Sequence, residues 1–171
     1  RLLLALQTVE SALSHHQKPA SDTANASPVV FRAPEPGDYG WVVQAHGRLY
    51  AQEYHWDERF EALVAKITAQ FVENFQPQWE RCWIAELNGQ IVGSVFIVRQ
   101  SKTVAKLRLL VLEPAARGHG IGRQLVEHSI RFAQQKGYRR LVLWTNKNLI
   151  AAVKLYESLG FELQSEEAHD S

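Results

Sequence analysis

Residues 110–123 read LVLEPAARGHGIGR, a run that passes from Leu110, Val111 and Leu112 through Glu113 and Pro114 to Arg117 and the glycines Gly118, Gly120 and Gly122. The β-rich segment Ala105–Leu112 is stopped by Pro114. Beyond the glycines, Ile121, Leu125, Val126, Phe132 and Ala133 share one broad helical face, and Gly137 is placed as a C-terminal stop. A strand therefore leads through a glycine-rich turn straight into a helix. Glycines let the backbone approach a ligand closely, and the first amides and positive dipole end of a helix suit a phosphate. No Gly-Lys-Ser/Thr follows, and the glycine spacing is not that of a dinucleotide-binding turn. The same residues also fit a turn that serves only tight strand-to-helix packing.

Working outward, Leu141–Trp144 reads as a buried strand, Leu149–Leu159 as a helix stopped by Gly160, and Phe161–Leu163 as one more strand. Upstream, Val29–Arg32 is a short strand followed by Pro34, Pro36 and Gly37. Asp38 is placed to cap a helix carrying Val42, Ala45 and Leu49, and Asp57 to cap a second with Phe60, Leu63, Val64, Ile67 and Phe71 on one face. Pro77 closes that helical region. Cys82–Leu87 and Ile91–Val98 flank Asn88-Gly89, the strongest short hairpin signal. The order βααβββαβαβ predicts an α/β fold, a mixed, mostly antiparallel sheet flanked by helices.

Residues 1–14 repeat Leu2, Leu6, Val9 and Leu13 at helical spacing, the expectation being an amphipathic helix left over from a preceding domain. Residues 15–28 are polar, with Pro19, Ser21, Asp22 and Asn25, and read as a linker; the main domain is expected over 29–171. A chain that starts at Arg1 and has no Met reads as a fragment. The 171 residues are 46% hydrophobic and 22% charged, which is ordinary globular usage. With 19 basic against 18 acidic side chains, the net charge of +1 offers no broad field for a polyanion, so nucleic-acid binding through this domain is not expected. No apolar run suits a membrane span or a signal peptide, and the single Cys82 calls for no oxidising compartment; a cytoplasmic setting is expected. His15-His16, in a polar linker, lacks the spacing of a metal site, and no metal is expected.

The strand-to-loop run Leu110–Pro114, the Arg117-x-x-Gly120-x-Gly122 signature, and the spacing of Ala152, Tyr156, Gly160 and Phe161 together resemble the GNAT N-acetyltransferase superfamily. The resemblance extends from about Val29 to Leu163. It implies a GNAT-like acyl-CoA N-acyltransferase fold that uses acetyl-CoA as cosubstrate. It also implies that Gly118, His119, Gly120, Ile121, Gly122 and Arg123, flanked by Arg117, meet the coenzyme pyrophosphate. Leu110, Val111 and Leu112 would bind the pantetheine arm where their strand splays from its neighbour at a bulge. Tyr156 matches the family's general acid, although burial of its ring accounts for it as well. The acceptor would be a primary amine, on a small molecule or a protein.

An attacking amine must lose a proton, and Glu86, Glu113 and Glu53 are the carboxylate candidates to receive it, with Glu86 placed in the catalytic set. Tyr50, Glu53 and Trp56 lie between the first two helices, where such folds build the acceptor side, and are assigned to substrate; an aromatic cluster pinning the helices fits equally. His119, between two glycines, is expected to face solvent. Asn146 and Asn148 stay open, because Leu149 departs from the family pattern. A family domain closes with a further strand, and the acidic end Glu166, Glu167, His169, Asp170 does not read as one, so the last strand is expected to be missing. The opening helix, the linker and the Tyr50/Glu53/Trp56 region also resemble the C-terminal part of MarR-type winged-helix regulators fused to a GNAT domain. That resemblance makes a non-catalytic acyl-CoA sensor the alternative to an enzyme, and the first helix makes a homodimer reasonable.

Overall fold

A computed structural model describes residues 28–145 and 149–162, together with the backbone of residues 2–3 and 165–166. The elements run β1 (Leu2–Leu3), β2 (Val29–Arg32), α1 (Asp38–Tyr54), α2 (Glu58–Glu73), β3 (Arg81–Leu87), β4 (Gln90–Arg99), β5 (Val104–Leu112), a 3₁₀ turn (Pro114–Ala116), α3 (Ile121–Gln135), β6 (Arg140–Leu143), α4 (Ile150–Ser158) and β7 (Ser165–Glu166). Five strands form one sheet in the order β2-β3-β4-β5-β6, while β1 and β7 pair with each other. β2 is antiparallel to β3, with Phe31 opposite Ala85, and β5 is parallel to β6, with Leu107 opposite Leu143. The mixed sheet flanked by helices is the architecture expected from the order of elements.

Local chemistry explains most boundaries. Asn88 (φ 53°) and Gly89 (φ 75°) both lie in the left-handed region, the requirement of a two-residue turn between twisted antiparallel strands. Asp57 caps α2, its carboxylate accepting the Arg59 amide at 3.0 Å. Asp38 does not cap α1 in this way. The cap position belongs to Gly37 at φ 100°, and the Asp38 carboxylate accepts the Glu35 amide at 2.7 Å and the Arg32 guanidinium at 2.6 Å. A buried carboxylate within reach of a guanidinium is better satisfied there than at the helix end.

Two further expectations are corrected. Phe161 and Glu162 are not in a strand: the Phe161 amide reaches back to the Tyr156 carbonyl (3.1 Å) and the Gly160 amide to that of Glu157 (3.1 Å), with Gly160 at φ 97°. These bonds make the pair the closing turn of α4, since orphan carbonyls at a helix end draw in the next amides. At the termini, Leu2–Leu3 are extended rather than helical and pair antiparallel with Ser165–Glu166, so that Glu166, the first residue of the acidic end that did not read as a strand, lies in one. The rest of the expected first helix, the linker with His15-His16, and Asn146 and Asn148 lie outside the described residues.

The chain divides into two compact units. One comprises Ser27–Phe96 and Leu109–Leu125. Its core holds Val42, Val64 and Ile84, all with no exposure, and an edge-on pair of rings, Phe71 and Phe96, with centroids 4.9 Å apart. The other comprises Arg1–Ala26, Ile97–Arg108 and Val126–Ser171. There Ala105, Leu107, Val126, Ile130, Ala133 and Leu141–Leu143 are buried. In that second unit the Arg139 and Arg140 amides both donate to the Thr103 carbonyl, fixing where β6 starts beside β5.

Candidate functional site

β6 ends at Leu143, opposite Leu107, so β5 continues for Arg108–Leu112 with no strand beside it on that flank among the described residues. The departure coincides with Leu109, whose φ of 51° places a non-glycine residue in the left-handed region within a strand. An L-residue adopts that conformation only where its surroundings enforce it, and the result is a local kink of the bulge kind. Ser94 Oγ donates to the Leu109 carbonyl at 3.1 Å, holding the kinked peptide against β4. Strand β4 comes unusually near here: a Cβ added at Gly93 would stand 3.0 Å from the Val111 carbonyl oxygen. The backbone of Leu110, Val111 and Leu112 is thus held on the β4 side and released on the other.

After the 3₁₀ turn, Gly118 (φ 85°) and Gly120 (φ 76°) again take the left-handed region, and a Cβ at either would meet nothing within 4 Å. Both glycines are needed for conformation rather than space. The open loop feeds α3, whose first intrahelical bond runs from the Gln124 amide to the Gly120 carbonyl at 3.0 Å. The Ile121 and Gly122 amides lie in the first turn, at the positive end of the helix dipole. Residues 117–123 therefore form an open glycine loop at a helix N-terminus, with Arg117 and His119 exposed and Ile121 buried as its anchor.

Helix α1 reaches this strand and loop through its second half. Ala45 and Leu49 pack with Val111, joined by Trp41. Arg48 binds the Glu113 carboxylate at 2.5 Å, and Glu53 binds Arg117 at 2.7 Å. The second pair brings the segment assigned to the acceptor against the segment assigned to the coenzyme. Around it, Tyr50 meets Phe60 (4.5 Å between centroids) and Trp56 (5.1 Å), and Trp56 meets Phe60 edge-on at 4.8 Å. Tyr50 is half-buried, and desolvation pushes its phenol up to about 12. Tyr50 and Trp56 thus pin α1 to α2, as the packing reading anticipates.

The three carboxylate candidates each hold an arginine: Glu53 with Arg117, Glu113 with Arg48, and Glu86 with Arg32 at 3.1 Å. Arg32 bridges Glu86 and Asp38, and the Asp38 carboxyl is held below the usual carboxylate range by that guanidinium. Glu86 lies opposite Val30 in the β2–β3 ladder, within this network. Tyr156 belongs to the other unit, 5% exposed, its ring edge-on to Phe161 at 5.7 Å. Cys82 is buried, and desolvation drives its thiol well above the ordinary range. Sequence reading missed Arg32 and Arg48, and the bulge that the resemblance implies falls at Leu109, a residue it did not name. The arginines sit on the shoulders of apolar stripes, where partners cannot be read, and leucine carries no signal of a left-handed φ.

A strand with no neighbour on one flank among the described residues, ending in a left-handed glycine loop and a helix N-terminus, offers backbone groups to an extended ligand and amides to an anion. The model of the acetyltransferase (GNAT) family matches residues 38–161, and the chain belongs to that family. Among characterised relatives, the N-acetylaspartate synthetase of Danio rerio is 41% identical over 80 residues, covering 46% of this chain and 28% of that protein. N-acetyltransferase family 8 member 3 of Rattus norvegicus is 28% identical over 120 residues, covering 67% of this chain and 53% of that one. The chain spans about half or less of the length of these two relatives. An acetyltransferase from Streptococcus agalactiae superposes with a TM-score of 0.67 at 24% identity, covering 83% of this chain and 88% of the other. A predicted acetyltransferase of Clostridium acetobutylicum, solved with acetyl-CoA, gives 0.65 at 18% identity, over 84% and 96% of the two chains. At these identities the structures establish the shared fold.

Proposed function

We propose that this chain is an N-acetyltransferase that moves an acetyl group from acetyl-CoA directly to a primary amine. The observation that carries the reading is the course of β5: it leaves β6 near a left-handed Leu109 and runs, with no strand on that flank among the described residues, into the glycine loop. The residues present fit the coenzyme, because Gly118 and Gly120 open the loop as only glycines do without strain. Acetyl-CoA supplies the acyl group: the amine nitrogen bonds to the thioester carbon as the carbon–sulfur bond breaks, the sulfur gains a proton and the nitrogen loses one. Amides of residues 118–123 bind the pyrophosphate, with Arg117 beside them. Free backbone groups of Leu110–Leu112 pair with the amide-bearing arm as an added strand would, and an amide there receives the charge that develops on the thioester oxygen. Tyr156 donates the proton to the departing sulfur.

Glu86 is the carboxylate assigned to take the amine's proton, and like Glu53 and Glu113 it holds an arginine. Direct transfer is favoured because the only thiol, Cys82, is buried and protonated, whereas a covalent route needs a thiolate. The printed names of the relatives, N-acetylaspartate synthetase and N-acetyltransferase, support a nitrogen acceptor.

Calorimetric titration with acetyl-CoA, repeated on Gly120→Glu with the fold checked by circular dichroism, tests the glycine loop. Micromolar binding that the substitution abolishes is expected; binding untouched by it would refute the site. In the same protein Tyr156→Phe is expected to bind coenzyme normally while losing transfer rate by about 10²-fold or more. An unaltered rate would remove Tyr156 from the mechanism, and so would a loss confined to coenzyme affinity.

A further inference from the structure

Arg117 opens the glycine loop and is fixed at both its backbone and its side chain. Its amide donates to the Pro114 carbonyl at 3.2 Å, closing the 3₁₀ turn, and a terminal guanidinium nitrogen lies 2.7 Å from Glu53 Oε1. The side chain still keeps 48% of its exposure. A guanidinium gripped at one nitrogen retains the other edges of its planar fork for a second oxyanion.

Glu53 stands in the last turn of α1, which holds no basic side chain. A carboxylate there meets the negative end of the helix dipole, so the helix by itself disfavours it. The position becomes favourable through a cation brought from outside the helix, and Arg117 is that cation. The carboxylate is also anchored from behind. It shares a hydrogen bond with Tyr54, whose phenol is raised above its ordinary range first by burial and then by the Glu53 charge, while the Arg117 charge lowers it. Tyr54 in turn meets Tyr50 at 5.5 Å and Trp56 at 6.2 Å, in the cluster that joins α1 to α2. Further back on α1, Arg48 grips Glu113 just past the end of β5. Contacts therefore run from packed rings through Tyr54 and Glu53 to Arg117, all within one compact unit.

An untethered arginine at the head of an open loop samples many rotamers and loses that freedom when it binds an anion. Pairing with Glu53 removes much of the loss in advance. We infer that Glu53 is a positioning residue for the coenzyme: it holds the Arg117 guanidinium at the glycine loop, with the rest of the fork open to a diphosphate, and acts on coenzyme affinity through Arg117. Glu53 thereby serves the coenzyme side rather than the acceptor side. The inference rests on the acetyl-transfer reading above, in which the loop receives the pyrophosphate.

The test is calorimetric titration with acetyl-CoA of wild-type protein, Glu53→Ala, Glu53→Gln, Arg117→Ala and the Glu53→Ala/Arg117→Ala double variant, each with its fold checked by circular dichroism. S-acetylpantetheine, which carries no phosphate, is titrated as a competitor. Glu53→Ala is expected to weaken acetyl-CoA about three- to fivefold, the range open to a half-exposed ion pair, and to leave S-acetylpantetheine unchanged. Glu53→Gln, of the same shape as the native side chain, should weaken acetyl-CoA by less. Once Arg117 is replaced, the Glu53 substitution should have no further effect. Equal or tighter acetyl-CoA binding by Glu53→Ala would overturn the inference and leave the coenzyme site standing. So would a loss that persists without Arg117 or extends to S-acetylpantetheine. Folded wild-type protein that binds no acetyl-CoA would overturn the coenzyme reading and this inference with it.

Discussion

His46 shows how much a single side chain can carry without touching the chemistry. Its ring is buried in α1, stacked 5.9 Å from Tyr50 and tilted 6.2 Å from Phe60, with Nδ1 2.7 Å from the Val42 carbonyl and no partner for Nε2. Desolvation outweighs the carbonyl contact and lowers the imidazole from 6.5 to about 4. A folded pKa below the unfolded one means that, between these values, the unfolded chain binds a proton that the folded chain refuses. Stability is therefore complete above about pH 6.5 and falls as pH is lowered toward 4, by at most about 1.4 kcal/mol per pH unit. Urea denaturation across this range should show that slope, and His46→Leu should flatten it; an equal slope in the variant would exonerate the histidine. None of this was legible beforehand. His46 follows Ala45 on a helix with an apolar stripe, and only the packing of α2 against it decides between a wet ring and a dry one.

At the scale of elements, the β4–β5 contact is the point where one added methyl group has the clearest consequence. Gly93→Ala would set a Cβ 3.0 Å from a backbone carbonyl and 3.1–3.2 Å from Leu112 and Leu125, so the strands must move apart. The expected cost is about 1–3 kcal/mol in chemical denaturation, with weakened coenzyme binding, since the displaced Val111 carbonyl belongs to the segment proposed to lie along the coenzyme arm. A neutral substitution would show that β4 does not set the position of β5. The helices and hairpin were readable because local chemistry decides them: Asp57 as a cap, Asn88-Gly89 as a left-handed pair, Gly137 and Gly160 past helix ends. Phe161–Glu162 escaped because a helix cap and a strand start look alike in one apolar residue followed by one charge. The left-handed glycine loop was legible from Arg117 to Arg123, whereas the ion pairs that brace it, Arg48–Glu113 and Glu53–Arg117, join residues 65 and 64 positions apart and no local rule links them.

For the whole molecule, the near balance of 19 basic and 18 acidic side chains predicts that this chain leaves the fluorescence anisotropy of a short labelled DNA duplex unchanged at physiological salt. A salt-dependent rise would mean that charge is segregated to one face in a way the sum conceals. No helix among the described residues is long and apolar enough to cross a membrane. The fold class followed from the order of elements and the family from two motifs at their proper separation. Compactness was less legible: β4, β5 and α3 each contribute residues to both units, a division that element order does not announce.

Leu109 gives that architecture an evolutionary cost. An L-residue held at φ 51° forfeits roughly 1–2 kcal/mol that a relaxed strand would keep, a sizeable share of the roughly 5–15 kcal/mol by which domains survive. Selection for durability alone would straighten β5 or install glycine at 109. A lineage freed from catalysis should therefore lose the kink early, and a chain that still carries it bears the mark of a site under use.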